Sequence, residues 1–196
     1  MARRLVIGIS GATGAIYGIR LLEALREAPE VETHLVISKA AERTIGWETS
    51  YTVDQVAQLA TVRYSFHDIG AALSSGSFQT VGMIVAPCSV KTLAAVAHGL
   101  SDNLLTRAAD VTLKEQRRLV LAVREAPLTL AHIRNMAACA EMGAILAPPV
   151  PAFYNHPKTV DDIVNHTVGR LLDLFSIDSG LVRRWEGMNA PNGPLK

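Results

Sequence analysis

The chain has 196 residues, a formal net charge of +1, 49% hydrophobic residues and 19% charged residues. That length predicts one domain, residues 1–188, followed by a short tail at 189–196. The apolar composition excludes a disordered chain, and the balanced charge gives no reason to expect nucleic acid or an anionic membrane as a partner. Average soluble domains have about 25% charged residues, so the low charged fraction indicates a homo-oligomer that covers apolar surface.

No segment of the sequence reads as a signal peptide or a membrane span. The first apolar run, residues 5–9, is too short for a secretory signal, and no run approaches the ~18 residues of a transmembrane helix. Cys88 and Cys139 are far apart in apolar or small-residue surroundings, which predicts buried free thiols in a reducing compartment. We therefore expect a cytoplasmic protein, and the six histidines show no spacing that would indicate a metal site.

Short β-branched runs alternate with segments of helical periodicity along the whole chain. Strands are expected at residues 4–10, 33–38, 81–87, 119–124 and 144–147. Helices are marked by Ile16, Ile19, Leu22 and Leu25, by Leu104, Ala108, Val111 and Glu115, and by Leu130, Ile133, Met136 and Ala140. A last helix begins after Thr159, and the long interval 39–80 is expected to hold one or two helices and a flexible tract around Ser75.

Strands that are apolar on both faces and alternate with helices are typical of buried parallel sheets. The pattern predicts an α/β fold, an open Rossmann-like (flavodoxin-like) parallel sheet with helices on both faces. Ligands of such sheets bind at the carboxyl ends of the strands.

The first strand passes through Gly11, Ala12 and Thr13 directly into a helix. Glycines at that position let backbone N–H groups approach an anion at a helix N-terminus. The segment is not the dinucleotide pattern, and Ser38 and Lys39 stand after the second strand where an acidic residue would hold a ribose. A mononucleotide phosphate site and a tight turn without a ligand both remain possible from these residues.

Four further positions, at strand ends or in the last helix, carry polar or aromatic side chains. The third predicted strand is followed by Ser89, Val90, Lys91 and Thr92. This segment is either an ordinary helix cap or a second ligand-binding loop rich in hydroxyl groups. The fourth predicted strand is followed by Arg124 and Glu125. These residues act either as an anion clamp with a proton donor or acceptor, or as a surface pair without a function. The prolines around Tyr154 either orient its ring or form a structural turn. Arg170 lies in the last helix and needs an anionic partner, which is either a carboxylate or a ligand phosphate.

An ordered series of short motifs resembles the UbiX family of flavin prenyltransferases, which includes proteins formerly described as phenylacrylic or aromatic acid decarboxylase subunits. The resemblance covers nearly the whole chain. The motifs are Gly11-Ala12-Thr13-Gly14-Ala15, Ile37-Ser38-Lys39-Ala40, Ser75-Gly76-Ser77, Pro87-Cys88-Ser89 with Lys91-Thr92, Arg107-Ala108-Ala109-Asp110-Val111, Leu113-Lys114-Glu115, Arg124-Glu125 before Pro127, Pro151-Ala152-Phe153-Tyr154 and Arg183-Arg184-Trp185.

The resemblance implies a metal-independent transfer of the dimethylallyl group from dimethylallyl phosphate to N5 and C6 of reduced FMN. The product, prenylated FMN, would serve a UbiD-type decarboxylase, and relatives typically form dodecamers with sites shared between subunits. Carried over by motif, FMN would be bound by Gly11, Ala12, Thr13, Ser38, Ser89, Val90, Lys91, Thr92 and Arg124. The donor would be bound by Tyr154, Arg170, Arg107, Lys114, Ser75, Gly76 and Trp185, and catalysis would rest on Glu125, Arg124, Tyr154, Arg170 and Lys114.

Two other functions are kept as alternatives. One is an FMN-dependent aromatic acid decarboxylase, although the histidine and asparagine motif of the related cysteine decarboxylases is not evident here. The other is a flavin carrier or electron-transfer module without a reaction of its own. In that case Tyr154 and Arg170 would be dispensable.

Overall fold

A computed structural model of the chain describes residues 3–185 and residue 187. Its centre is a six-stranded sheet, all parallel, with the strand order β3-β2-β1-β4-β5-β6. The strands are β1 (Arg3–Ile9), β2 (Val31–Ile37), β3 (Val62–Tyr64), β4 (Gly82–Cys88), β5 (Arg118–Val123) and β6 (Ile145–Leu146). The tail expected at 189–196 lies outside the described residues.

Helices cover both faces of this sheet. They are α1 (Ala15–Arg26), α2 (Lys39–Glu48), α3 (Val53–Gln58), α4 (Val90–Ala97), α5 (Leu104–Lys114), α6 (Leu130–Glu141) and α7 (Val160–Asp173), with a short 3₁₀ helix at Ala72–Ser74. One core joins the sheet to α1, α2, α3 and α7, and the other joins it to α4, α5 and α6. The expected doubly wound, Rossmann-like fold is confirmed.

Alternation along β1 explains the two cores. Leu5, Ile7 and Ile9 face the α1 and α7 side, whereas Val6 faces the α4 and α5 side. All of these side chains are buried, as expected for a central strand that is covered on both faces. Gly18 lets α1 pack closely on this core, since a Cβ there would stand 2.5 Å from the Ala86 carbonyl oxygen. The close packing fixes the start of α1 over the carboxyl end of β1.

Besides the short 3₁₀ helix at Ala72–Ser74, the interval 39–80 contains one element that the sequence did not predict, the strand β3. It is three residues long, pairs only with β2 at the sheet edge, and none of its residues is fully buried. The two expected helices of this interval, α2 and α3, are present. The capped start of α7 is also confirmed, since the Thr159 hydroxyl accepts the Asp162 N–H in a capping box.

Helix α6 exposes the apolar face that its periodicity marks. Leu130 is 60% exposed and Ile133 50% exposed, with Leu128 beside them at 45%. A soluble monomer rarely leaves such a group of large apolar side chains in water. This face is therefore a candidate for contact with a second copy of the chain.

Both cysteines are buried and unpaired. Burial raises the pKa of the Cys139 thiol to about 11 and raises that of Cys88 further, so both remain protonated near neutral pH. Among residues 3–185 and 187, no helix is both long and apolar enough to cross a bilayer.

Candidate functional site

The strand order reverses between β1 and β4, and a cavity of about 390 Å³ opens near the carboxyl ends of these strands. Such a switch point is where open α/β sheets bind their ligands, and the volume lies within the ~300–1,000 Å³ typical of small-molecule sites. We call it the helix-start cavity. Its lining residues are Gly11, Ser38, Lys39, Ala40, Phe66, Ser89, Val90, Lys91, Thr92, Ala95, Asn103 and Thr106.

The beginnings of three helices converge on the helix-start cavity. Ser38 caps α2, Ser89 caps α4 and Asn103 caps α5, each accepting a backbone N–H three residues on at 3.1–3.2 Å. The remaining N–H groups of each first turn and the positive ends of the three helix dipoles lie at these starts. Lys39 and Lys91 add positive charge to the lining. The arrangement suits an anionic ligand such as a phosphate.

Two close contacts hold the loop after β1 against the rest of the cavity. Ser10, 1% exposed, accepts the Ser89 N–H at 2.7 Å and donates to the Pro87 carbonyl at 3.0 Å. Gly11 approaches the first turn of α2 so closely that a Cβ would stand 2.2 Å from the Ala40 Cβ. Only glycine fits that approach, which brings the loop backbone to the cavity wall.

The start of α1 is occupied by an internal carboxylate. Glu48 Oε2 accepts the N–H groups of Gly14 and Ala15 at 2.8 and 3.3 Å, where the sequence pattern suggested a ligand anion. Gly11 lines the cavity, whereas Ala12 and Thr13 lie beside it in the loop. Glu48, at the end of α2, carries no motif that would have singled it out.

Arg124 and Glu125 lie at the carboxyl end of β5, outside the cavity lining. The Arg124 N–H donates to the Cys88 carbonyl at 3.0 Å, and its side chain is exposed. It is near Tyr17, whose pKa is raised by burial while the Arg124 charge acts in the opposite direction. A Glu125 carboxylate oxygen accepts the Ala126 N–H at 3.0 Å. Their roles as clamp and proton carrier stay predictions.

A second group, the tyrosine cluster, lies around the carboxyl-terminal half of α7. Tyr154 meets Trp185 edge to face at 5.6 Å between ring centroids. Arg170 donates to Asp173 at 2.7 Å, and Arg184 donates to both oxygens of the same carboxylate at 2.9 Å. The hydrogen bonds from Arg184 and Arg170 hold the pKa of Asp173 below its usual range. With two arginines and one carboxylate, these three residues keep a net positive charge.

A third group, the loop clamp, holds the segment 74–78 against α5. Arg107 donates to the Ser74 carbonyl at 3.2 Å, and Arg117 donates to the Gly76 carbonyl at 2.6 Å. Lys114 pairs with Glu115 at 2.5 Å and lowers the pKa of that carboxyl. A Cβ at Gly76 would stand 2.0 Å from Glu115 Oε1. These cations therefore bind partners within the chain.

Within one copy of the chain, the residues that were predicted to bind the prenyl donor lie far apart. The tyrosine cluster belongs to the α1 and α7 face of the sheet, and the loop clamp, with Ser75, belongs to the α5 face. Lys114 also lies eight residues beyond Thr106 of the cavity, about 12 Å along α5 at 1.5 Å per residue. Tyr154, Arg170 and Lys114 do not meet within a single chain.

Four of the residues that line the cavity were not singled out from the sequence. Phe66 lies in the long interval 39–80, and Ala95 lies on α4. Asn103 and Thr106 begin α5, and an asparagine before an apolar helical segment was the signal that could have found them. Lys39 was noted from the sequence as a cation that suits a phosphate, and Ala40 stood in a recognised motif without an assigned role.

An open Rossmann-like sheet with a cavity at its switch point that suits an anion is typical of nucleotide-binding proteins, and a family model described as Flavoprotein matches residues 1–172. The chain is 58% identical over 188 residues to the flavin prenyltransferase UbiX of Neisseria meningitidis serogroup B, covering 96% of this chain and 99% of the relative. The chain belongs to the flavoproteins and, among them, to the UbiX flavin prenyltransferase family.

Two solved structures share the fold closely. AnUbiX (PadA1), in complex with FMN and dimethylallyl pyrophosphate, has a TM-score of 0.94 and 51% identity, covering 95% of this chain and 99% of that one. A dodecameric FMN-dependent UbiX-like decarboxylase from Escherichia coli O157:H7 has a TM-score of 0.93 and 55% identity, covering 94% of this chain and 100% of that one. The expected family and fold are thereby confirmed.

Proposed function

We propose that this chain is a flavin prenyltransferase, which joins the dimethylallyl group of a phosphorylated donor to N5 and C6 of reduced FMN. The observation that carries the proposal is the 51% identity and 0.94 TM-score shared with AnUbiX, a protein solved with both FMN and dimethylallyl pyrophosphate. The transferase function and FMN as the flavin follow from membership of this family.

The helix-start cavity fits FMN. Its three helix starts and two lysines suit a phosphate, and Phe66 and Val90 add apolar surface for a planar ring. Gly11 brings backbone against the same space without a side chain. Ser38, Ser89, Val90, Lys91 and Thr92 would hold the flavin nucleotide together with Gly11, while Ala12, Thr13 and Arg124 would contact it from the neighbouring loops.

The complete site would form between copies of the chain. The tyrosine cluster and the loop clamp lie on opposite faces of one sheet, so a neighbouring copy must bring one group to the other copy's cavity. The exposed apolar face of α6 supplies a surface for such contacts, and the related E. coli protein is a dodecamer. We propose the same assembly here.

The donor would be bound through its phosphate by Tyr154 and Arg170, with Arg107, Lys114, Ser75 and Gly76 of the loop clamp nearby. When the phosphate leaves, these cations and Arg124 stabilise the negative charge that develops, which replaces a metal ion. Trp185 and Tyr154 present π faces to the allylic cation and exclude water. Glu125 would carry the proton, and reduced FMN supplies the nucleophilic N5.

A partner follows from the chemistry of the product. Prenylated FMN is a modified cofactor that this chain has no evident reaction to use, so it must pass to another enzyme. We propose a UbiD-type decarboxylase as the acceptor, as the resemblance of the sequence motifs implies.

Anaerobic incubation with reduced FMN and either dimethylallyl phosphate or the pyrophosphate tests the proposal directly. Mass spectrometry of the released flavin should show a gain of one prenyl unit, and reactions without donor should return FMN unchanged. The decarboxylase alternative is favoured by the description of the E. coli O157:H7 relative. Unchanged flavin, together with CO₂ release from an aromatic acid such as a phenylacrylic acid, would overturn the transferase assignment in its favour.

A further inference from the structure

His166 of α7 makes direct contact with the hydroxyl of Tyr154. Its Nε2 lies 3.1 Å from the Tyr154 Oη, and the two rings meet edge to face at 5.4 Å between centroids. Trp185 packs against the tyrosine as a second ring. His166 is only 6% exposed, and its sequence position carries no motif.

The other ring nitrogen decides the direction of this hydrogen bond. Nδ1 of His166 is buried and finds no hydrogen-bond partner within residues 3–185 and 187. A proton on Nδ1 would bury an unpaired N–H donor, which folded proteins avoid more strictly than an unpaired acceptor. The proton is therefore placed on Nε2, which donates to the Tyr154 oxygen. That arrangement leaves the phenol hydrogen free to donate elsewhere.

The charges around His166 favour its neutral form. Burial lowers the pKa of His166, and Arg170 one turn further along α7 lowers it again, while Asp173 acts in the opposite direction. Tyr154 from the loop and Trp185 from the segment after α7 bring no charge, and Arg184 is bound to Asp173. A neutral ring with its proton on Nε2 can hold one fixed geometry near neutral pH.

We propose that His166 is a positioning residue for the donor phosphate: its Nε2–H fixes the Tyr154 ring and directs the phenol O–H towards an anionic oxygen of the substrate. The inference rests on the proposed function, in which Tyr154 binds that phosphate. Arg170, on the same face of α7, would then meet the phosphate beside the tyrosine hydroxyl.

A double-mutant cycle in the prenylation assay tests the coupling. Tyr154→Phe and His166→Phe should each raise KM for dimethylallyl phosphate about threefold to tenfold, the effect of one lost hydrogen bond. The double variant should match Tyr154→Phe alone, because His166 acts only through the hydroxyl. FMN affinity should stay unchanged in all three. Multiplicative losses, or an unchanged KM in His166→Phe, would overturn the proposal.

Two conservative variants test the same hydrogen bond if His166→Phe does not fold. The amide N–H of His166→Gln reaches the former position of Nε2 and should restore KM, whereas His166→Asn is too short and should not. Equal KM values for these two variants would contradict a hydrogen bond to Tyr154. Thermal melting of each variant separates a folding defect from a binding defect.

A spectroscopic measurement is independent of turnover. Solid-state ¹⁵N spectra of the protein, with the His166 signals assigned through His166→Gln, should show a protonated Nε2 and an unprotonated Nδ1. The opposite tautomer refutes the positioning role even if prenylation is observed. The expected tautomer in a protein that does not prenylate FMN would instead leave the contact correct and the proposed function wrong.

Discussion

The hydroxyl of Ser10 joins the two loops of the switch point, since it accepts the N–H of Ser89 at 2.7 Å. The same hydroxyl donates to the Pro87 carbonyl at 3.0 Å. One small side chain thus fixes the loop after β1 relative to the start of α4. Both loops contribute residues to the helix-start cavity.

Replacing Ser10 with alanine should therefore weaken both folding and FMN binding. The Ser89 N–H and the Pro87 carbonyl would lose a buried partner, at a cost of about 1–3 kcal/mol in the free energy of unfolding. Urea denaturation and quenching of FMN fluorescence measure the two effects. Ser65→Ala is the control, because the exposed Ser65 hydroxyl accepts only a long 3.4 Å bond from His67 and should change stability by less than about 0.5 kcal/mol.

Alanine should have opposite effects at Gly11 and Gly46. At Gly11 the new methyl group collides with Ala40 at 2.2 Å, whereas at Gly46 it finds nothing within 4 Å. Gly11→Ala should destabilise the fold by about 1–3 kcal/mol and lower FMN affinity. Gly46→Ala, inside α2, should stabilise it by about 0.5–1 kcal/mol. Equal effects at both positions would refute the close approach of the loop to α2.

Arg170→Ala should retain FMN binding and lose turnover by about 10²-fold, because the phosphate of the donor would lose a cation. Arg184 keeps Asp173 paired in this variant, so the fold of the cluster should persist. Single-turnover kinetics and FMN titration give the two readouts. Arg63→Ala, on the edge strand β3, is the matched control. Undiminished turnover in Arg170→Ala would exclude the assigned phosphate site.

His34 should make the protein less stable in mild acid. Its side chain is 2% exposed, its Nδ1 lies 3.0 Å from the Tyr64 hydroxyl, and its Nε2 lies 3.2 Å from a Glu32 oxygen without hydrogen-bonding geometry. Burial lowers the pKa of His34 below 6.5; Glu32 opposes this and Arg4 adds to it. The unfolded chain therefore takes up the proton first, so stability is full above about pH 6.5 and declines as the pH falls below it.

Urea denaturation between pH 5 and 8 checks this dependence. His34→Gln removes the titrating ring, so its free energy of unfolding should fall less steeply below pH 6.5 than that of the wild type. Parallel pH profiles for the two proteins would show that His34 does not control the acid sensitivity.

Most strands of the sheet and two sides of the cavity could be predicted from the sequence. β1, β4 and β5 contain buried runs that are apolar on both faces, and β2 ends in such a run at residues 35–37. Parallel strands place Ser38 and Ser89 at one edge by topology alone. β3 escaped because an edge strand of three half-exposed residues needs no apolar run. Phe66 was not predicted either, because it lies in the irregular segment after β3 and belongs to no strand or helix.

The residues predicted to bind the donor lie on two faces of the sheet, and this division could not be worked out from the residues alone. Strand-end arguments predict which loops share an edge, but not how far along α5 or α7 a side chain lies. The contact between Tyr154 and His166 likewise depends on how the loop after β6 returns to α7. The spacing of the tyrosine and the histidine in the sequence does not indicate that they are in contact.

The helix-start cavity and the tyrosine cluster come from different stretches of the chain. Every residue that lines the helix-start cavity lies between positions 11 and 106, and the tyrosine cluster lies between 154 and 185. Substitutions between positions 154 and 185 can therefore alter the tyrosine cluster without replacing any residue that lines the cavity.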